Sequence, residues 1–566
     1  MKQLIRLLKN ASAREWTAAG IALVLIIAQV WLDLKLPDYM NEIAMYLQSP
    51  QDQIRNIMIS GAKMLGLTLA SAATAVVVGY IAARIAASLS ARIRGRVFSS
   101  VMAFGAGEMN NFSANSLITR TTNDVTQVQM IVAMGLQVII KAPILAVWAI
   151  IKISAKNWQW TALTGGCIIL LVAVIAMIMR YAIPRFKKMQ SLTDNINRIV
   201  RENLSGLRVV RAYNAEKYEQ ERFSEANLAV TKNSLQAHLA MQFFNPTMRI
   251  VISMLMLGIY WIGAYIIQAA PLNMSVFDPA LLANKESAEY LTMMGQIVLE
   301  KQQLFADMLV FSSYAMQILM AFMMLAMIFV MAPRMIVSVT RINEVLGTVP
   351  AVKTGSAVPP EDAPKGEVEF RGVSFKYPDA EDYVLHDISF TAKRGQTIAF
   401  IGSTGSGKST LINLIPRFYD ATEGQILVDG LPIREWDIKQ LRARVGFVAQ
   451  RAFLFSGSIA ENISYGGEGD AIPELLAEAA KIAQAKEFTD ELPEGFDAPV
   501  SQDGTNFSGG QRQRLSIARA VYKKPEVLIF DDSFSALDFK TDAALRRALG
   551  ESLADTTKLI VAQRIG

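Results

Sequence analysis

Hydrophobic positions follow two different patterns along this chain. Before about residue 335 they run in long, nearly unbroken blocks; past residue 366 they fall into short runs broken by Gly, Pro and Asp. The long blocks are Trp16–Leu36, Met58–Ala86, Met130–Ile153, Trp158–Ile183, Met241–Ala270 and Met308–Ala332. Each matches the roughly 20 apolar residues that a helix needs to cross a bilayer. Lipid offers backbone groups no partners, so these six blocks are predicted helices. Polar stretches between them keep helical periodicity, from Ala87 to Asn123 and from Arg185 to Lys232, so several helices should run on past the membrane.

A proline-rich stretch, Thr348 to Pro364, separates the two patterns. Beyond it, Glu367–Phe370, Thr397–Ile401 and Val527–Asp531 read as short strands, and Ile459 to Ala520 as helical. The expected organisation is an interfacial helix at 1–14, a membrane domain at 15–335, a linker at 336–365 and an α/β domain at 366–566. The leader qualifies as interfacial because Leu4, Ile5, Leu7 and Leu8 alternate with Lys2, Arg6 and Lys9.

Composition supports a membrane chain: 52% of residues are apolar and only 19% charged. The net charge of +6 comes from particular loops and includes no basic-aromatic reading surface, so nucleic acid is not an expected partner. Arg92, Arg94, Arg96 and Arg120 lie between blocks two and three; Arg185, Lys187, Lys188, Arg198, Arg201 and Arg208 follow block four. The opposite loops, near 37–55 and 271–303, are poor in Lys and Arg. The positive-inside rule then puts the N-terminus and the α/β domain in the cytoplasm. The single cysteine, Cys167, sits in an apolar block, where an inert buried thiol is expected.

One run carries clear chemistry: Gly402-Ser403-Thr404-Gly405-Ser406-Gly407-Lys408-Ser409, followed by Thr410. It lies between a predicted strand and a predicted helix, Thr410–Leu414, as the phosphate-loop pattern G-x-x-x-x-G-K-[ST] requires. Glycines let several backbone N–H groups turn toward one phosphate chain, Lys408 adds a point charge, and the Ser409 hydroxyl can reach Mg²⁺. Asp531 ends a second apolar strand, the usual place for the carboxylate on the metal side.

Together with Ser508-Gly509-Gly510-Gln511, Ser535-Ala536-Leu537-Asp538, Gln450 and Tyr377, this sequence resembles the nucleotide-binding domain of ATP-binding cassette (ABC) proteins from about Gly366 onward. The resemblance implies an exporter-type architecture: six spans, then a phosphate-loop ABC domain. It implies ATP and Mg²⁺ as cofactors, with Tyr377 stacking on adenine and Ser409, Gln450 and Asp531 on the metal side. Two such domains would stack head to tail, so Ser508, Gly509, Gly510 and Gln511 would serve the ATP of a partner half-transporter, and Asp538 is also expected among the nucleotide-binding residues. The loops Phe112–Asp124 and Glu202–Val210 resemble the intracellular loops of ABC exporters, whose tips dock on the ATP domains. Family members usually continue for a few dozen residues past Gln563, so the domain's last elements are expected to be missing.

Two positions depart from the family. Asp532 stands where most members carry a catalytic glutamate, and Gln563 where most carry a histidine at the γ-phosphate. Aspartate is shorter by roughly 1.5 Å of reach. A misplacement of that order can cost about 10²-fold in rate. Glutamine can donate a hydrogen bond but carries no transferable proton. The combination resembles the degenerate-site subunit of bacterial heterodimeric multidrug exporters. The expected function is therefore ATP-driven export of amphipathic or hydrophobic compounds as one half of a heterodimer in the lipid bilayer. Two alternatives stand beside it: a homodimeric lipid or peptide flippase, and an ATP-gated regulatory protein that does not pump. In the membrane half, Lys141, Asp33 and Lys35 are charges that call for a cavity or a partner, and methionines crowd the last two spans.

Overall fold

The computed structural model describes residues 6–7, 11–48, 53–154, 157–269, 288–359, 365–378, 380–465, 467 and 469–562, with the backbone alone at 48 and over 288–293 and 327–334. Most of the leader at 1–14, residues 271–287 of the loop expected near 271–303, residues 360–364 of the linker, and Gln563 lie outside them, and the rest of that loop belongs to the helix Ala288–Gly347. The chain divides into two compact units, one of Met1–Val97 with Thr119–Glu344 and one of Phe98–Ile118 with Val345–Gly566.

The first unit is a bundle. Among the described residues, six helices are long and apolar enough to cross a membrane: Ala13–Leu47, Ile54–Met102, Ala114–Ser154, Trp158–Ser205, Glu216–Ala269 and Met294–Ala326. The second runs for 49 residues and the fourth for 48, more than twice what a bilayer core requires. Polar continuations of the apolar helices account for that excess. Lipid tails are as apolar as leucine, so close packing rather than water exclusion holds such helices together. Trp160 and Phe311 meet at a 45° tilt with ring centroids 5.3 Å apart, and both are fully buried with Leu255, Ile259 and Tyr314. At Gly263 a Cβ would run into Met308, so glycine is what lets these two helices approach.

The intramembrane charges find one another. Lys141 pairs with Asp33 at 3.0 Å, and Ser71 donates to the same aspartate. Asp38 is held by Lys152 at 3.2 Å, Lys35 at 3.6 Å and the Tyr314 hydroxyl at 2.7 Å. Lower in the unit, a π-helical segment, Arg120–Asp124, is clamped to the last long helix. Arg120 pairs with Glu344 at 2.9 Å, and Ser338 donates to Asp124 at 2.7 Å.

The second unit is built on two sheets. Strands β1 (Val368–Phe375), β2 (Leu385–Ala392), β4 (Glu423–Val428) and β5 (Leu431–Pro432) form an antiparallel sheet in the order β2-β1-β4-β5. Strands β3 (Thr397–Ile401), β6 (Val445–Val448), β9 (Val527–Asp531) and β10 (Thr557–Ala562) form a parallel sheet in the order β3-β10-β9-β6. A short ribbon joins β7 (Gly457–Ser458) to β8 (Pro499–Val500). Strand β9 is buried on both faces, with Val527 and Ile529 toward the antiparallel sheet and Leu528 and Phe530 toward the helical part. That two-sided burial explains its uninterrupted apolar sequence. Strand β1 extends past the expected Phe370 because a register shift between Phe370 and Val373 interrupts its alternation at Gly372.

Candidate functional site

The nucleotide-type site forms where β3, β9 and β10 end. Gly405 and Gly407 both take φ +86°, a left-handed conformation that side chains disfavour. The loop therefore curls tightly before the helix Lys408–Asn413 begins. Lys408 folds over it, donating to the carbonyls of Gly402 at 2.8 Å and Ser403 at 2.7 Å and to the Ser406 hydroxyl at 3.3 Å. The Ser409 hydroxyl donates to Asp531 Oδ1 at 2.6 Å. Asp531 is buried at the tip of β9. Burial pushes its carboxyl above the usual carboxylate range, Ser409 offsets part of that, and the neighbouring Asp532 adds to the rise.

Asp532 itself stands at φ +47°, and its backbone N–H donates to the Val561 carbonyl. Its carboxylate accepts from Gln450 Nε2 at 3.3 Å. A cavity of 370 Å³ brings Tyr377, Thr404, Lys408, Ser409, Gln450 and Asp532 together. The Tyr377 hydroxyl is 2.9 Å from Thr410 Oγ1, and its ring meets Phe375 and Tyr419 edge-on at 5.0 and 5.4 Å. Val384 and Val561 also line this cavity. Sequence reasoning does not single them out, because a strand-end valine carries no chemical signature.

The second group of expected residues does not line that cavity. Ser508 caps the helix Gly509–Tyr522: its hydroxyl accepts from the Gln511 N–H at 3.2 Å, and Gln511 Oε1 accepts from the Ser508 N–H at 2.8 Å. Gly510 lies close to this run's neighbour, since a Cβ there would sit 3.4 Å from the Ala536 carbonyl oxygen. Asp538 caps the next helix, Phe539–Ser552, by accepting from the Thr541 N–H, which holds its carboxyl below the usual range. Of the two loops that resemble intracellular loops, Phe112–Asp124 holds the short helix Ala114–Thr119 and the π-helical Arg120–Asp124, directly after the short helix Ala106–Asn111, and Glu202–Val210 runs into the short helix Leu207–Ala212. Leu207, Val209 and Tyr213 are all exposed.

Comparison with known proteins agrees with this arrangement. The pattern described as "ABC transporter" matches residues 385–535, and that described as "ABC transporter transmembrane region" matches 19–282. An uncharacterised ABC transporter ATP-binding protein of Mycobacterium tuberculosis is 38% identical over 509 residues, covering 89% of this chain and 82% of its own. One from Bacillus subtilis is 34% identical, covering 97% of this chain and 89% of its own. The ATP-dependent lipid A-core flippase of Pseudomonas putida is 32% identical over 86% of this chain and 75% of its own. A bacterial Atm1-family ABC exporter solved with ATP bound shares the fold, with a TM-score of 0.76, 22% identity, and coverage of 97% of this chain and 91% of that one. The chain belongs to the ABC transporter family: it is an exporter half with a six-helix membrane domain and an ATPase cassette.

Proposed function

We propose that this half-transporter works as the slow-site member of a heterodimer that exports amphipathic or hydrophobic compounds of the multidrug type. The observation that carries the reading is Asp532. It stands where most ABC cassettes place a glutamate, and its short carboxylate is engaged by Gln450. Gln563 in place of the usual histidine supports the same reading from sequence. Ser508, Gly509, Gly510 and Gln511 are intact and lie away from this chain's own cavity, as a signature serving a partner's ATP would. In the assembly Ser508 and the glycine amides would act as fixed donors toward the partner's γ-phosphate.

Mg²⁺ fits the donors present. Among the described residues no group of three His, Cys, Asp or Glu could hold a metal ion. Mg²⁺ on a nucleotide needs only one or two protein donors besides phosphates and water. The Ser409 hydroxyl and Asp531, with Gln450 on the same side, supply such a set. The ion would shield the phosphate charge. Lys408 would exchange its loop carbonyls for phosphate oxygens, and Tyr377 would stack on adenine.

The basic loops support a cytoplasmic cassette. A homodimeric lipid flippase is the second reading, favoured by the similarity to the lipid A-core flippases. Purification of the chain alone and with its candidate partner, followed by ATPase assay of each, separates the two. A lone homodimer as active as the pair would overturn the heterodimer.

A further inference from the structure

Tyr377 lines two cavities. One is the nucleotide cavity; the other, of 390 Å³, lies between the antiparallel sheet and the short helix Ala106–Asn111, within one compact unit. That volume is in the range of small-molecule sites. Its walls are Tyr377, Phe375, Phe418 and Tyr419, with Pro378 and Lys376 at one side and Gly107 at the other.

The loop carrying Phe418 and Tyr419 is rigid. Arg442 donates to the carbonyls of Pro416 at 3.0 Å and Arg417 at 3.1 Å, and Arg417 grips Asp420 at 2.7 Å. Across the cavity, Asn110 donates to the Tyr419 hydroxyl at 3.3 Å. The two carboxylates in the lining are already engaged. Asp420 holds Arg417, and Glu108 accepts from the N–H groups of Gly105 at 2.8 Å and Ala351 at 2.9 Å. Lys376 differs: it is exposed, its ammonium faces the Tyr383 ring at 5.7 Å, and among the described residues no carboxylate pairs with it. The cavity therefore offers aromatic faces, with an exposed lysine that pairs with no described carboxylate at its edge.

We propose that this second cavity binds a small planar aromatic anion, and that its occupant and ATP bind cooperatively through Tyr377. The ring would be packed by the ligand and by adenine. Each occupant spares the other the cost of ordering it, so the coupling is reciprocal. The cooperative part rests on Tyr377 being the adenine platform.

Calorimetry on the full-length chain in nanodiscs tests it with 2-naphthoate as probe. Two controls accompany it: 2-naphthylmethylammonium has the ring with the opposite charge, and cyclohexanecarboxylate has the charge without the ring. Saturable binding of 2-naphthoate, about tenfold tighter than either control and tightened severalfold by ATP, is expected. Lys376→Gln should erase the preference for the anion. A Cβ at position 107 would meet Tyr419 at an ordinary 3.8 Å, so Gly107→Leu should fold, fill the cavity and abolish naphthoate binding while ATP still binds. A chain that binds ATP but no naphthoate would overturn the site. So would naphthoate displaced by ATP, which would put it in the nucleotide cavity, and so would binding unchanged in Gly107→Leu. If Tyr377→Ala leaves ATP affinity untouched, the adenine-platform reading fails and the cooperativity with it, whereas loss of naphthoate binding in Gly107→Leu reports on the cavity alone.

Discussion

The side-chain amide of Gln450 donates to Asp532 at 3.3 Å, so two residues expected on the nucleotide are bonded to each other. A carboxylate engaged in this way, and one methylene short of the usual glutamate, is poorly placed to polarise water. Asp532→Glu combined with Gln563→His is expected to raise single-turnover ATP cleavage at this site by at least about tenfold, within the range one misplaced catalytic group can cost. The assay replaces the partner's glutamate with glutamine, so that only this site reports. Fast cleavage there by the unmodified chain would show Asp532 to be a competent catalytic carboxylate.

The signature residues predict the opposite sensitivity. Ser508 both caps the helix Gly509–Tyr522 and would face the partner's phosphate. Removing a preorganised donor of this kind costs about 10²–10³ in rate. Ser508→Arg is therefore expected to abolish most ATPase activity of the pair, and Asp532→Asn to reduce it far less. Steady-state rates of the two mutant pairs decide the ranking, and the reverse order would remove the slow-site assignment.

Asp531 links function to stability. Burial raises its folded-state pKa above the unfolded value. The folded chain then binds the proton more tightly, so this carboxylate contributes instability that sets in as pH rises from the unfolded value of about 3.9 through the folded one. At neutral pH, Asp531→Asn should relieve it. A gain of about 1 kcal/mol would raise the cassette's Tm by about 2–4 °C. The same variant should lose Mg²⁺-dependent ATP hydrolysis. Thermal melts without nucleotide at pH 5 and 8 check the sign: the advantage of Asn over Asp should be larger at pH 8.

The sequence makes some of this legible and hides the rest for identifiable reasons. Strand 527–531 is readable because burial on both faces leaves an apolar run with a sharp polar end, and 397–401 because its apolar run stops at the first glycine of the phosphate loop. The six membrane helices are readable because lipid forbids other backbones. The role of Ser508 as a helix cap follows from Ser508 and Gln511 three positions apart. By contrast, Lys376 and Tyr419 stand far apart in sequence and share a cavity only once β1 pairs with β4. The engagement of Gln450 with Asp532 likewise depends on β6 lying beside β9. Such contacts are set by tertiary placement, which no local period encodes.

The paired membrane charges give the last prediction. Among the described residues Asp33 has Lys141 at 3.0 Å and Ser71 as its partners, whereas Asp38 has Lys152, Lys35 and Tyr314. The Asp33–Lys141 pair is partly buried, so removing one member leaves an under-compensated charge and costs less than the roughly 3–5 kcal/mol of a fully buried pair. Lys141→Met strands Asp33 with a single hydroxyl. Lys152→Met leaves Asp38 with an ammonium and a phenol. Lys141→Met should therefore lower thermal stability in nanodiscs more than Lys152→Met. Adding Asp33→Asn should restore most of the loss in the Lys141→Met background and be harmful alone, because it then strands Lys141. A double-mutant cycle measures this coupling directly. Additive effects of the two substitutions would show that the pair does not hold the bundle, and equal losses from Lys141→Met and Lys152→Met would show that the extra partners of Asp38 count for nothing.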